Sequence, residues 1–344
     1  LFPLGFTARP VRRCPMASEL ARLLLACLFG TISLRSPSGY AGGAPKPLLV
    51  LIWDWPFRQA LNLSGDVCAT LYGIEGCWLT GDRSRYAQAD VVAFHARELQ
   101  QSRSGLPKSK PHPGQKWVWV SLESPSHTHT LSGWGGTEWN WVMTYRQDSD
   151  IFVPYGQLVP RGSATVAIPE KTGLAAWVVS NYHHSQERAR VHRRLARHIR
   201  VDVFGKASGK PLCPACLLPT IAKYKFYLAF ENSLAKDYIT EKLWRNSLLA
   251  GTVPVVLGPP RANYERFLPA GAFIHVDDFG SAEQLGRFLA TMNESSYRRF
   301  FEWRRSHAVK LYDDWRERFC LVCRQYPSLP QEKVYPSPES WFRN

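Results

Sequence analysis

Residues Phe226–Gly258 read FYLAFENSLAKDYITEKLWRNSLLAGTVPVVLG, and the succession of residue types along them decides the fold. The apolar, aromatic run Phe226–Phe230 has the length and content of a buried strand. A polar cluster, Glu231-Asn232-Ser233, follows at once. Over about Thr240–Ala250 a helical pattern sets Ile239, Leu243, Leu248 and Leu249 near one face, and Gly251 stands where a helix-stopping glycine is expected. Val253–Leu257 is a second buried strand, closed by Gly258-Pro259-Pro260. A β-α-β unit of this kind builds a parallel sheet, and such sheets bind ligands at the carboxyl ends of their strands. The helix N-terminus faces that edge with partial positive charge, which suits a phosphate. Tyr238, Glu241 and Lys242 sit there. Glu is ordinary decoration for a first helical turn and Lys is not, so Lys242 favours a bound anion.

Outward from this unit the same alternation continues. Ala175–Ser180 reads as a strand, Ser185–His198 as a helix and Val201–Phe204 as a strand. Downstream, Phe273–Val276 is a strand, Ser281–Thr291 a helix with Ser281 as N-cap, and Ser296–Phe319 a long helical pattern rich in aromatics and Arg. Residues 157–173 hold Pro160, Gly162, Pro169 and Gly173 without periodicity and read as a linker. Before it, Leu48–Trp53, Val91–His95 and Trp117–Leu122 are strands spaced for an open α/β sheet. Trp139–Tyr145 is an aromatic, helix-like segment ahead of Ile151–Gly156. The expected class is therefore α/β, with two facing nucleotide-fold domains at 47–156 and 174–319 and a tail at 320–344 packing back on the first domain.

The N-terminal segment is read separately. Arg9, Arg12 and Arg13 precede the apolar run Leu20–Leu34, which Arg22 interrupts. This predicts a cytosolic tail at 1–19, a signal-anchor at 20–34 and a Ser/Gly/Pro-rich stem at 35–46, with a cleaved signal peptide as the alternative. The formal net charge of +15 attracts anions. No helix-turn-helix, zinc-finger or RNA-binding signature accompanies it, so nucleotide phosphates or acidic substrates are preferred over nucleic acid. Six of the eight cysteines form close pairs, Cys68/Cys77, Cys213/Cys216 and Cys320/Cys323. They suggest lumenal disulfides rather than zinc, because the two C-x-x-C elements lie too far apart for a zinc ribbon. Cys213 and Cys216 read as a local bridge. The other four either pair locally or join Cys68 and Cys77 to Cys320 and Cys323. Sequons at Asn62 and Asn293 become glycosylation candidates in that compartment.

FYLAFENSLAKDYITEKLWRN, AAWVVSN and SLESPSHTH, with IFVPYG, VDVFG and HVDDFGSA, resemble the animal α1,3-fucosyltransferases, and most of all the leukocyte type. The resemblance runs from about Leu48 to the C-terminus. It implies a GT-B fold of two Rossmann-like domains, an acceptor-binding one and a GDP-fucose-binding one. It implies inverting transfer of fucose from GDP-β-L-fucose to O3 of GlcNAc in Galβ1-4GlcNAc, preferably α2,3-sialylated, making sialyl-Lewis x structures. It also implies a single-pass type II Golgi membrane protein. The alternatives are transfer to neutral type 2 acceptors and a catalytically silent glycan-binding protein on the same fold.

Inverting transfer needs a base on the acceptor hydroxyl and cations or donors on the departing diphosphate. The resemblance gives the first role to Glu123 of Glu123-Ser124-Pro125, at the carboxyl end of a strand. It gives donor binding to Arg188, Asn232, Tyr238, Glu241 and Lys242: Lys242 and Tyr238 on the diphosphate, Glu241 on the ribose, Asn232 near phosphate or fucose. Arg188 can pair bidentately with phosphate, and nearby Arg190 is its alternative. Acceptor binding falls to His95, Arg97 and Tyr155, with Arg97 matching the type 2 choice. Asp148-Ser149-Asp150 imitates a Mn²⁺-binding D-x-D, but Arg and Lys can do the metal's work, so a structural role and no required metal are expected. His127 and His129 read as cleft-wall or surface residues.

Overall fold

Strands that are apolar at successive positions must be covered on both faces, as parallel sheets between helices are. The computed structural model describes residues 46–101, 105–128 and 137–343 and collects these strands into two such sheets. The first holds β1 (Leu48–Ile52), β2 (Cys77–Thr80), β3 (Val91–His95), β4 (Lys116–Ser121), β5 (Trp141–Thr144) and β6 (Ile151–Phe152). All are parallel, in the order β2-β1-β3-β4-β5-β6. Every residue of β3 and β4 is buried.

After β7 (Gly156–Pro160) the chain builds a second sheet from β8 (Gly173–Val178), β9 (Val201–Phe204), β10 (Tyr224–Phe230), β11 (Val253–Leu257) and β12 (Ile274–His275). Its order is β12-β11-β10-β8-β9, again parallel throughout. Both sheets reverse direction once: between β1 and β3 in the first, between β8 and β10 in the second. Connections leave such a point to opposite faces and open a crevice at the strands' carboxyl ends. His95, Arg97 and Glu123 follow β3 and β4 at the first crevice. Asn181, Glu231 and Asn232 follow β8 and β10 at the second.

Three segments differ from the sequence reading. Trp139–Tyr145 is not helical: Trp141–Thr144 is the buried strand β5, whose continuous apolar run has no period to distinguish strand from helix. Residues 157–173 are not only linker, because β7 pairs antiparallel with β13 (His307–Leu311). Ser296–Phe319 is not one helix but a helix Glu294–Arg299, a turn, β13 and the start of a helix Trp315–Gln325. Its aromatic spacing is a composite. Tyr297 and Phe301 serve the core of the second sheet and Phe319 that of the first, while each residue of β13 is half-buried. The helix after Thr240 also changes type, from α over Glu241–Leu243 to π over Trp244–Leu249. There the Trp244 ring lies so close to Gly156 that a Cβ would stand 2.6 Å from its Cγ, which excludes any larger residue at 156.

The helix Trp315–Gln325 and the following tail pack on the first sheet through Phe319, Leu321, Val322, Leu329, Tyr335 and Phe342. Two disulfides fasten it, Cys68–Cys320 and Cys77–Cys323; Cys213–Cys216 is local. The structure thus selects the long-range alternative for the four remaining cysteines. Asn62 and Asn293 are both exposed. The tail at 1–19, the anchor at 20–34 and nearly all of the stem lie outside the described residues. Among the described residues no helix is long and apolar enough to cross a membrane.

The two long-range bridges share one loop. With either intact, the other closes a ring of only about a dozen residues, worth about 3 kcal/mol. Losing both frees a loop of 252 residues. We expect the double variant Cys68→Ser/Cys77→Ser to lose clearly more stability than either single variant. Chemical denaturation under non-reducing conditions measures this, and a double variant no worse than the singles would contradict shared closure.

Candidate active site

Two pockets meet at the carboxyl edges of the sheets and share Asn232. One, of about 460 Å³, is lined by His95, Arg97, Glu123, His127, Asn181 and Asn232 among others. The other, of about 480 Å³, is lined by Arg146, Arg188, Glu231, Asn232, Lys236 and Arg343 among others. The Oδ1 of Asn232 is buried without a hydrogen-bond partner among the described residues. A buried unpaired amide oxygen is costly unless a ligand satisfies it.

Glu123 follows β4 and is half-buried. It has no hydrogen bond or ion pair among the described residues, although its charge reaches the hydroxyls of Tyr145, Tyr155 and Tyr238. A free carboxylate facing a pocket is available to accept a proton. The residues after it are tied across the crevice. Ser124 Oγ lies 2.8 Å and Ser126 Oγ 2.7 Å from Ser233 Oγ, and His127 Nδ1 lies 2.9 Å from Ser124 Oγ. This network joins the loop after β4 to the loop after β10.

Arg188 is only 5% exposed. It donates to neutral oxygens, Gln186 Oε1 at 3.1 Å and the Asn181 carbonyl, and forms no ion pair among the described residues. Burial pulls its guanidinium down, opposed by the charges of Glu231 and Glu241. A buried cation without a paired anion is costly and suits an anionic ligand. Arg190 lies exposed on the same helix, Glu187–Leu195, and is engaged by Glu187. Of the two, Arg188 lines the pocket and Arg190 does not.

Behind Asn232 the donor-side residues form a closed cluster. Glu231, 2% exposed, accepts from the Thr240 amide (2.8 Å), from the Thr240 hydroxyl and from Lys242 Nζ (3.0 Å). Lys242 also reaches Thr240 Oγ1 at 2.8 Å and Glu241 Oε1 at 3.1 Å. Burial pulls the Lys242 ammonium down, but Glu231 and Glu241 outweigh it and hold it protonated. Lys242 thus has carboxylate partners in place. Tyr238 is 3% exposed, packs on Tyr145 with centroids 5.0 Å apart, and burial pushes its hydroxyl far up. Tyr155 donates to the Leu122 carbonyl at 2.5 Å and packs on Tyr145 and Tyr238. Tyr155, Tyr238, Glu241 and Lys242 are therefore not among the residues lining the two pockets, whereas His95, Arg97, Glu123, Arg188 and Asn232 are.

Sequence reasoning did not find Arg146, Lys236 or Arg343. Arg146 grips Asp148 (2.8 Å), which also holds Lys236 (2.8 Å), and Asp150 holds Lys333 (2.6 Å) and accepts from the Val142 amide. The D-x-D carboxylates are engaged by cations. Only spatial convergence reveals this, because Arg343 comes from the chain's far end. The His129 reading lies outside the described residues.

Residues 45–156 match the fucosyltransferase N-terminal family, and residues 168–341 match glycosyltransferase family 10 (fucosyltransferase), C-terminal. The chain belongs to the family 10 fucosyltransferases. It is 56% identical over 336 residues to human (Homo sapiens) α-(1,3)-fucosyltransferase 7, covering 97% of this chain and 98% of that protein. It is 45% identical over 344 residues to α-(1,3)-fucosyltransferase 4 of Bos taurus, covering 87% and 86%. A crystal structure of an α1,3-fucosyltransferase with GDP-fucose shares the fold, with TM-score 0.54 at 16% identity, covering 87% of this chain and 94% of that one. This fucosyltransferase is a glycosyltransferase of GT-B architecture.

His95 closes the floor of its pocket. Its ring is 4% exposed and lies edge-on to Trp315 at 5.3 Å, and Nδ1 has no hydrogen-bond partner among the described residues. Burial, with Arg97 and Arg318 adding repulsion, pulls the imidazole from 6.5 to about 3. The unfolded chain protonates His95 below about pH 6.5 while the folded enzyme does not, so stability falls as pH drops through that window. The denaturation midpoint is expected to decline less steeply between pH 6.5 and 4.5 in His95→Gln than in the parent. Parallel declines would show that His95 is not held neutral.

Proposed function

We propose that the protein transfers L-fucose, with inversion, from GDP-β-L-fucose to O3 of GlcNAc in Galβ1-4GlcNAc, with α2,3-sialylated acceptors preferred. The α1,3-fucosyltransferase activity rests on relatives of that activity at 45–56% identity across most of the chain. The finer acceptor choice is supported by the higher identity to α-(1,3)-fucosyltransferase 7. One observation carries the chemistry: an unpaired Glu123 in one pocket and an unpaired, buried Arg188 in the other, with Asn232 between them.

In this reading Glu123 takes the proton of the acceptor O3–H as oxygen attacks the anomeric carbon of fucose. The bond from that carbon to the β-phosphate oxygen breaks, and GDP leaves with its charge on the Arg188 side. Asn232 meets the sugar or phosphate through its free amide. Glu241 and Lys242 support the ribose and diphosphate side from behind the pocket lining, Glu231 links them to that lining, and Tyr238 backs them. His95, Arg97 and Tyr155 shape the acceptor side, Tyr155 by holding the Leu122 carbonyl just before Glu123. No metal is required in this proposal, since cations already engage the D-x-D carboxylates; unchanged transfer in EDTA is the expected result. A type II Golgi membrane location, with the catalytic part lumenal and glycans on Asn62 and Asn293, is proposed on the apolar run Leu20–Leu34 behind its three arginines.

A single assay tests the activity: full-length enzyme with GDP-fucose and either sialylated or plain Galβ1-4GlcNAc. Transfer to neither would leave the catalytically silent glycan binder, and transfer only to the plain disaccharide would leave the Lewis x reading. Glu123→Gln is expected to lower kcat by a factor of about 10²–10⁴, the range of a lost general base, with GDP affinity kept. Retained turnover removes Glu123 as the base. Arg188→Ala is expected to weaken GDP-fucose binding at least about tenfold, the worth of a charged hydrogen bond. An unchanged KM for GDP-fucose would release Arg188 from that role.

A further inference from the structure

The partition between the two pockets is a chain of hydroxyls that the transfer step leaves unused. Ser126 and Ser233 line the pocket of Arg188, His127 lines the pocket of Glu123, and Asn232 lines both. Between them Ser124 is fully buried. The three serine Oγ atoms and His127 Nδ1 lie within 2.7–3.3 Å of one another. Three hydroxyls bring only three hydrogens, and the three shortest approaches take them in one direction. Ser126 donates to Ser233 at 2.7 Å, Ser233 to Ser124 at 2.8 Å, and Ser124 to His127 Nδ1 at 2.9 Å. With the proton on Nδ1 the same chain runs in reverse and ends at Ser126. In either direction Ser233 both accepts and donates in mid-chain.

Of the four residues only Ser233 comes from the loop after β10. It follows Asn232 directly, as Ser124 follows Glu123 directly. One hydrogen bond therefore fixes the residue beside Glu123 against the residue beside Asn232. The Ser124 end is rigid: its carbonyl accepts from Thr128 Oγ1 at 3.0 Å, and the Thr128 carbonyl accepts from Arg343 at 3.0 Å. The Ser233 end is half-buried and has no such brace. The other ties of its loop to the first lobe lie further along, where Lys236 pairs with Asp148 at 2.8 Å and Asp237 accepts from the Gln147 amide at 2.9 Å. They hold the loop whether or not Ser233 keeps its hydroxyl. Without that hydroxyl, Ser124 and Ser126 still have each other at 3.1 Å and His127, all on the first sheet's side. The chain then closes on itself, and Asn232 is released from the loop of Glu123.

We propose that Ser233 is a positioning residue for the transfer reaction, a latch that sets the spacing between Glu123 and Asn232 across the crevice. The latch rests on the reading of Glu123 as the base in fucosyl transfer. In-line attack is sensitive to that spacing, because misplacement by an ångström costs about a hundredfold in rate. Donor binding is less sensitive, since Arg188 is held by its own helix and by Gln186 and Asn181. Loss of the latch therefore falls on kcat and spares the KM for GDP-fucose.

Full-length wild type, Ser233→Ala and Ser233→Thr are compared in two assays. One measures fucose transfer to sialylated and to plain Galβ1-4GlcNAc. The other measures GDP released from GDP-fucose by water without an acceptor, a reaction that needs no acceptor register. Ser233→Ala should lower the kcat of transfer about tenfold, the worth of one or two neutral hydrogen bonds. Its KM for GDP-fucose and its hydrolysis rate should be unchanged. Ser233→Thr keeps the hydroxyl and should restore transfer. Loss of folded enzyme lowers transfer and hydrolysis in the same proportion, so the ratio of the two rates isolates positioning. A ratio unchanged in Ser233→Ala overturns the latch, as does a Ser233→Thr ratio as low as that of Ser233→Ala. A wild type that transfers to neither acceptor overturns the fucosyl-transfer reading itself.

Discussion

Glu231 is a carboxylate just beyond the buried end, Phe226–Phe230, of strand β10, and it is itself only 2% exposed. Removing an unpaired carboxylate from water costs several kcal/mol, so everything around it is arranged to supply hydrogen. Thr240 gives its amide and its hydroxyl, and Lys242 gives its ammonium. These contacts fold the loop Asn232–Ile239 back across the edge of the sheet. Asp237 holds the middle of that loop in a left-handed conformation, φ 57°. It receives Nδ2 of Asn263 on Oδ1 and the Gln147 amide on Oδ2. Gln147 belongs to the first half of the chain. The buried charge therefore fixes the donor-side loop and, through Asp237, ties it to the opposite lobe.

The same constraint explains why Lys242 stands at a helix start, where the backbone dipole disfavours a cation. Two carboxylates offset that penalty before any ligand arrives. The cluster is anionic or neutral by itself, and it can receive a diphosphate only beside a cation that has no partner. In the proposed mechanism Arg188 is that cation. There a saturated lysine and an unsaturated arginine divide the work: one fixes the cluster, the other meets charge that develops when GDP departs. Preorganised cations of this kind lower a barrier because they need no reorientation during the reaction.

Most of the architecture was legible because strand and helix signals here are strong. Val91–His95, Val201–Phe204 and Val253–Leu257 are rich in valine and other strand-favouring side chains, and their bounds agree with the structure. Ser281 caps its helix through Gln284 N as its residue type suggests. The failures have a common cause. Trp141–Thr144 is buried on both faces, which erases the two-residue alternation that identifies a strand. The segment 296–319 borrows its helical spacing from residues that serve two different cores. Pairing β7 with β13 joins positions some 150 residues apart, and no local pattern encodes it. At the site, Glu123, Arg188 and Asn232, which line the pockets, were legible because each lies in or near a recognisable motif. Arg146, Lys236 and Arg343 were not, since their convergence depends on the tail returning to the first sheet.

That return decides how the two pockets can act together. The tail crosses from the second sheet through β13 and buries Phe319, Leu321 and Phe342 in the core of the first. Trp315 from the same passage walls His95, and Arg318 sits over the rings of Tyr155 and Trp315 at 5.6 and 4.6 Å. Tyr155 in turn holds the carbonyl that precedes Glu123. Glu123, the base in the proposed mechanism, is thus flanked by residues from β4, from the crossover before β7 and from the C-terminal helix. Two disulfides fasten that helix to the first sheet beside its buried apolar residues. An inverting transfer needs the acceptor oxygen, the anomeric carbon and the leaving oxygen nearly in line, and misplacement by an ångström is costly. In the proposed mechanism that alignment draws on both sheets and on the covalent return that makes the end of the sequence part of the first sheet's core.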